Sequence, residues 1–196
     1  ILKMVIGRTF SGVGLIGITT VTAIGLSVHP TLAAGIQKLA DFNGTNGNGP
    51  TTSLSPGGNG LFYGMTEIGG ANDDGTIFSF NPANNTLTGL ASFDGTNGAS
   101  PSSLTPGSNG LFYGTTGMGG ENTCGVIGCG TIFSFNPTTN VLTKLADFNG
   151  TNGSYPISLT PSDNGLFYGI AGGGANGDGT IFSFNHATKA QTRLSN

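Results

Sequence analysis

GLFYGMTEIGGANDDGTIFSFNP, Gly60 to Pro82, occurs three times along the chain and decides how the rest of it is read. It returns as GLFYGTTGMGGENTCGVIGCGTIFSFNP (Gly110 to Pro137) and as GLFYGIAGGGANGDGTIFSFNH (Gly165 to His186). In an extended chain, Phe78 and Phe80 of TIFSF point to one side and Ile77 to the other, while Leu61 and Tyr63 oppose Phe62. A sheet with one wet face alternates apolar with polar residues. Apolar groups on both faces predict a sheet covered on both sides. The recurring phenylalanines (Phe42, Phe62, Phe78 and Phe80; Phe93, Phe112, Phe133 and Phe135; Phe148, Phe167, Phe182 and Phe184) therefore read as core rather than as an aromatic ligand platform.

The flanks repeat as well. IQKLADFNGTNG (Ile36 to Gly47) matches LTGLASFDGTNG (Leu87 to Gly98) and LTKLADFNGTNG (Leu142 to Gly153). With one strand through Leu54, Leu104 or Leu159, one at LFYG, one at TIFSF and one at LTxLAxF, each unit holds four short strands in about 50 residues, the length of a propeller blade. The fold expected is all-β: three tandem four-stranded blade-like repeats, about 39–89, 90–144 and 145–196, forming a partial β-propeller over residues 34–196. Asn59-Gly60, Asn109-Gly110 and Asn164-Gly165 are expected to supply the positive φ values of tight hairpins. Pro50, Pro101 and Pro156 precede one strand and Pro56, Pro106 and Pro161 follow it, places where a missing N–H is tolerated.

LFYGTT, then GG, then GTIFSFNP, then LxxFxGTNGxxPxxxL resembles the GloVer-type tandem repeat of bacterial secreted proteins, from Ile36 to the C-terminus. The resemblance implies propeller-like repeats and secretion or surface display, often with a separate C-terminal anchor, and it brings no catalytic residues. Closed propellers typically use about four to eight blades, so three repeats are expected to leave an open arc with two apolar faces. Those faces would be covered by self-association, such as two chains in a six-bladed ring, by filament growth, or by further repeats of a longer array. The opening strand IQKLADF is surplus to three units, and it is expected to complete the last sheet, in its own chain or a neighbour's, since the closing AQTRLSN lacks the terminal phenylalanine.

Residues 1–33 differ from all that follows. Lys3 and Arg8 precede an uncharged run from Ser11 to Val28, and Pro30 to Ala34 offers small residues for cleavage after Ala33. This is the pattern of a secretory signal peptide, an N-terminal apolar helix; a retained membrane anchor and a strand buried by partner subunits are the other readings. A first residue of Ile1 instead of Met fits a fragment or a processed form. Removal of the segment would leave four basic residues against nine acids, a formal charge of −5. With a net charge of −3 even when intact, the chain offers no basic surface to nucleic acid.

The two cysteines, Cys124 and Cys129, lie in an insertion that the middle copy alone carries. In an exported protein a close pair is expected to form a disulfide stapling its own loop, and a zinc site would need more ligands. Asp41, Asn43, Asp73, Asp74, Asp147, Asn149 and Asp178 sit in Asp/Asn/Gly loops loosely like calcium loops. They lack closely alternating acids and a distant bidentate Glu, so turn chemistry is the preferred reading and calcium the alternative. His186 replaces Pro82 and Pro137 and reads as a surface substitution at a strand end, since no partners for a triad and no G-x-S-x-G are visible. Two functions remain in competition. One is a secreted, non-enzymatic surface or matrix module that self-assembles. The other is a glycan-binding propeller using Asn/Asp/Gly loops and Tyr63, Tyr113 and Tyr168, with a glycan-acting hydrolase third.

Overall fold

The computed structural model describes residues 35–195, so the expected N-terminal apolar helix or signal segment lies outside the described residues. All regular structure in the described residues is β. The unit Gln37–Asn196 carries three antiparallel sheets in succession. The first comprises β1 (Asn48–Pro50) and β2 (Ser55–Pro56), two pieces of one interrupted strand, then β3 (Phe62–Ile68), β4 (Thr76–Asn81) and β5 (Thr86–Ser92). The second is β6 (Ala99–Pro106), β7 (Phe112–Met118), β8 (Thr131–Asn136) and β9 (Val141–Asp147). The third is β10 (Ser154–Pro161), β11 (Phe167–Gly172), β12 (Thr180–Asn185) and β13 (Ala190–Ser195). Each LTxLAxF strand thus closes the sheet before it, and its phenylalanine begins the link to the next.

The cassette folds the same way each time because its residues satisfy one another across the ladder. Gly64 pairs with Phe78, Gly114 with Phe133 and Gly169 with Phe182. A Cβ at Gly64 would meet the Phe78 ring at 2.5 Å, so the glycine of LFYG is the space in which the phenylalanine of TIFSF lies. Gly57 N–H donates to the Leu61 carbonyl to close the first hairpin, with the same bond from Gly107 to Leu111. The sequence expectation for Asn-Gly needs correcting here. Gly60 takes positive φ, but Asn59 does not; its side chain accepts from Leu61 N–H and donates to the Tyr63 hydroxyl at 2.9 Å. The amide therefore anchors the tyrosine instead of bending the chain, and Asn109 and Asn164 do likewise.

Two cores lie between the sheets. Tyr63, Met65 and Ile77 of the first sheet meet Leu104, Phe112, Phe133 and Phe135 of the second. Tyr113 and Ile132 of the second meet Leu159, Phe167, Phe182 and Phe184 of the third. Aromatic edges repeat at both junctions, with Phe93 on Phe133 and Phe148 on Phe182 at 5.1 Å. Face-to-face burial of both sides of the middle sheet is the propeller-like packing that the sequence predicts. Within its own chain the opening strand does not complete the last sheet, which is formed by β10 to β13. Gln37–Phe42 instead lies beside the outer face of the first sheet, with Phe42 edge-on to Phe78 at 4.9 Å.

Candidate functional site

The loops fall into two sets, at opposite ends of the strands. At one end, the hairpins of Gly107–Leu111 and Ser162–Leu166 and the turn after β12 surround a cavity of about 360 Å³ between the second and third sheets. Its floor is aromatic: the His186 ring lies 5.4 Å from Tyr113 and 5.9 Å from Phe167. Its rim is polar, with Ser108, Asn109, Ser162 and Asp163. His186 is therefore part of a cleft wall and not a bland surface substitution. The cue was available in the sequence, since this position is Pro in the other two copies, but its meaning depends on Tyr113, 73 residues earlier. The cleft does gather Ser, Asp and His. Yet His186 Nδ1 is buried with no hydrogen-bond partner among the described residues, so the carboxylate that would orient a catalytic imidazole is not in place.

The tyrosines considered for sugar contact are committed elsewhere. Tyr63 and Tyr113 are buried, and all three hydroxyls accept from the neighbouring asparagine at 2.8–2.9 Å.

At the other end, the inter-sheet links and the β7–β8 insertion meet. Cys124 and Cys129 form the expected disulfide, with Cα atoms 4.9 Å apart. Cys129 is fully buried and occupies the place of Asp74 in the first copy. Its carbonyl accepts from Tyr155 N–H, as the Asp74 carbonyl accepts from Ser100 N–H. The Tyr155 hydroxyl donates to the Cys124 carbonyl at 2.9 Å, so the stapled loop is tied to the third sheet.

The calcium candidates are dispersed among turns. Asp41 pairs with Lys38 on the surface. Asn43 Oδ1 accepts from Asn46 N–H and the Thr45 hydroxyl, while Asn46 Oδ1 accepts from Asn43 N–H. Asn149 and Asn152 exchange the same pair of bonds. In the second link Asp94 stands at this position, and the Asn97 N–H and the Thr96 hydroxyl hold its carboxyl below the usual carboxylate range. Asp73 Oδ1 accepts from Gly69 N–H. Asp147 accepts from Glu121 N–H and pairs with Lys144, and an isolated bridge between β11 and β12 sets Asp178 beside Gly173. Burial pushes the Asp74 carboxyl upward, helped by Asp94 and Asp73. Among the described residues no three His, Cys, Asp or Glu side chains converge as a metal site. The side-chain oxygens of Asn43, Asp73, Asp147 and Asn149 are engaged by backbone N–H groups of the turns.

Comparison with known proteins adds two findings. The fold is similar to TolB of Acinetobacter baumannii (TM-score 0.51, 16% identity, covering 80% of this chain and 34% of that one). It is also similar to the extracellular domain of a proposed one-component system of B. thetaiotaomicron (TM-score 0.50, 11% identity, 82% and 18%). The chain spans about a third or less of those proteins' length, and at such identities the likeness concerns fold alone. No curated protein is matched by the sequence. The family model described as Gloeobacter/Verrucomicrobia repeat matches residues 25–196.

Proposed function

Because the chain belongs to the Gloeobacter/Verrucomicrobia repeat family, we propose that it is an extracellular, non-enzymatic repeat protein acting as a surface or matrix interaction module. The observation carrying this reading is that half-exposed apolar residues stand on the outward faces of the first and last sheets, Leu54 on one and Ile170 and Ile181 on the other, where they offer contact surface. Export is supported by the disulfide in the middle repeat, by the signal-like composition of residues 1–33 and by the extracellular domain among its structural neighbours. Association with a membrane would depend on retention of residues 1–33. Fractionating cells that express the tagged chain tests the reading: protein in the medium or on the surface, with Cys124 and Cys129 resistant to alkylation, supports it. A cytoplasmic, alkylatable pool sinks it.

The cleft beside His186 favours one second reading, glycan binding, because an aromatic floor with a polar rim suits a hydroxylated ring. Glycan-array binding by the wild type that disappears in His186→Pro, the residue of the other copies, is the expected outcome of that reading.

A further inference from the structure

We infer that the outer face of the third sheet docks into the outer groove of the first sheet of a second copy of this chain, recreating the junction that the chain already contains twice. This rests on the reading of the protein as an interaction module and names its partner.

The three sheets present equivalent residues at equivalent positions. At each internal junction, a donor face with isoleucine at the second position of TIFSF enters an acceptor face of phenylalanines and one leucine. Ile77 and Ile132 are donors and are fully buried. Ile181, the same residue of the third sheet, is 47% exposed, as is Ile170 beside it in the ladder. On the acceptor side, Leu104 and Leu159 are 9% and 4% exposed, whereas their counterpart Leu54 is 50% exposed. Among the described residues, therefore, the third sheet is a donor without an acceptor and the first sheet an acceptor without a donor.

The acceptor keeps its shape. Leu39, Phe42, Leu54, Phe78, Phe80 and Leu87 line a groove of about 360 Å³ on the outer face of the first sheet. Phe42 already lies edge-on to Phe78, as Phe93 lies on Phe133 and Phe148 on Phe182. The acceptor's own phenylalanine contact is thus preformed. Gln37–Asp41 pairs with no strand and, by its match to Thr88–Ser92, stands in the place of the docking sheet's fourth strand, so docking displaces it, Leu39 included, while Phe42, Leu54, Phe78, Phe80 and Leu87 stay as the acceptor. A second copy of the chain presents the matching donor residues, Ile170 and Ile181, half exposed. The contact is head-to-tail, so two copies using it at both ends would close a ring of six sheets, within the typical range of about four to eight.

Two variants of the full chain test the inference by sedimentation velocity. Ile181→Asp removes the donor face and Leu54→Asp the acceptor face. Both sites are half exposed, so circular dichroism of each variant, and its melting at dilution where all are monomeric, should match the wild type. The wild type should form dimers or a ladder of higher species at micromolar concentration. Each variant alone should associate at least about a hundredfold more weakly, since docking would bury an unpaired carboxylate. The two variants mixed should form a one-to-one dimer, because one retains a sound acceptor and the other a sound donor. A monomeric wild type, undiminished association in either variant, or failure of the mixture to pair overturns the inference. If the protein is nonetheless found outside the cell, the proposed function survives this failure. A cytoplasmic protein that still assembles would separate the two in the other direction.

Discussion

The hexapeptide TIFSFN forms the third strand of all three sheets, Thr76–Asn81, Thr131–Asn136 and Thr180–Asn185, yet its isoleucine is buried in the first two and half exposed in the last. Every other residue of the strand has the same environment each time: phenylalanines buried, serine buried, asparagine at the rim. The middle sheet has a neighbour on both faces, and the third has one only on its phenylalanine side. Local sequence fixes which side chains share a face. Whether that face is dry depends on what stands opposite.

Substitution at the isoleucine should break this comparison most sharply. Ile132→Ala is expected to destabilise by about 2–5 kcal/mol in denaturant unfolding through the cavity it leaves, and Ile181→Ala by less than about 1 kcal/mol in a dilute, monomeric sample. Equal losses would mean that Ile181 is covered. A control inside the sheets should give the opposite pattern. Gly114→Ala and Gly169→Ala each place a methyl against the phenylalanine ring of the adjacent strand, so both are expected to cost about 1–3 kcal/mol whatever the outer face does.

The disulfide distinguishes the two internal junctions from each other. The Cys124–Cys129 loop holds Tyr155 at the second junction, and the first junction has only the Asp74 loop in its place. The bridge closes a loop with a sequence separation of 5. Cys124→Ser with Cys129→Ser is expected to lose up to about 2 kcal/mol by the loop-entropy argument. Hydrogen exchange should rise around Ser154–Pro161 but not around Ala99–Pro106; a uniform rise would refute the local role.

The smallest effect separates the three links. Asp94 carries a carboxylate where Asn43 and Asn149 carry amides, and its lowered pKa has a definite sign. The stability it contributes is present above the ordinary aspartate range and is lost as pH falls through the lower, folded value. Because the group is exposed, Asp94→Asn should change stability near neutrality by less than about 0.5 kcal/mol. That difference from the wild type should shrink further as the solution is acidified. A difference that grows in acid would contradict the assigned hydrogen bonds.

Much of the fold was legible in the residues. The four strands, the faces of TIFSF and LFYG, the disulfide and the family resemblance all follow from local period, turn residues and repetition. The site was less so. His186 reads as isolated along the chain, and only the packing of the second sheet on the third sets it beside Tyr113 and Phe167. The three tyrosines could equally be read as ligand platforms until Asn59, Asn109 and Asn164 were seen to hold their hydroxyls.

By itself, then, the sequence determined what each strand is and which of its residues point together, because strand period and turn chemistry act over a few neighbouring residues. The tertiary structure alone decided that Gln37–Phe42 lies on the first sheet instead of completing the third, that the asparagine of Asn-Gly serves through its side chain, and that Ile77 and Ile132 are covered while Ile181 is not. The physical reason is that burial and pairing belong to two surfaces at once. A repeated sequence specifies both halves of its junction identically, and only the assembled sheets show which halves have met.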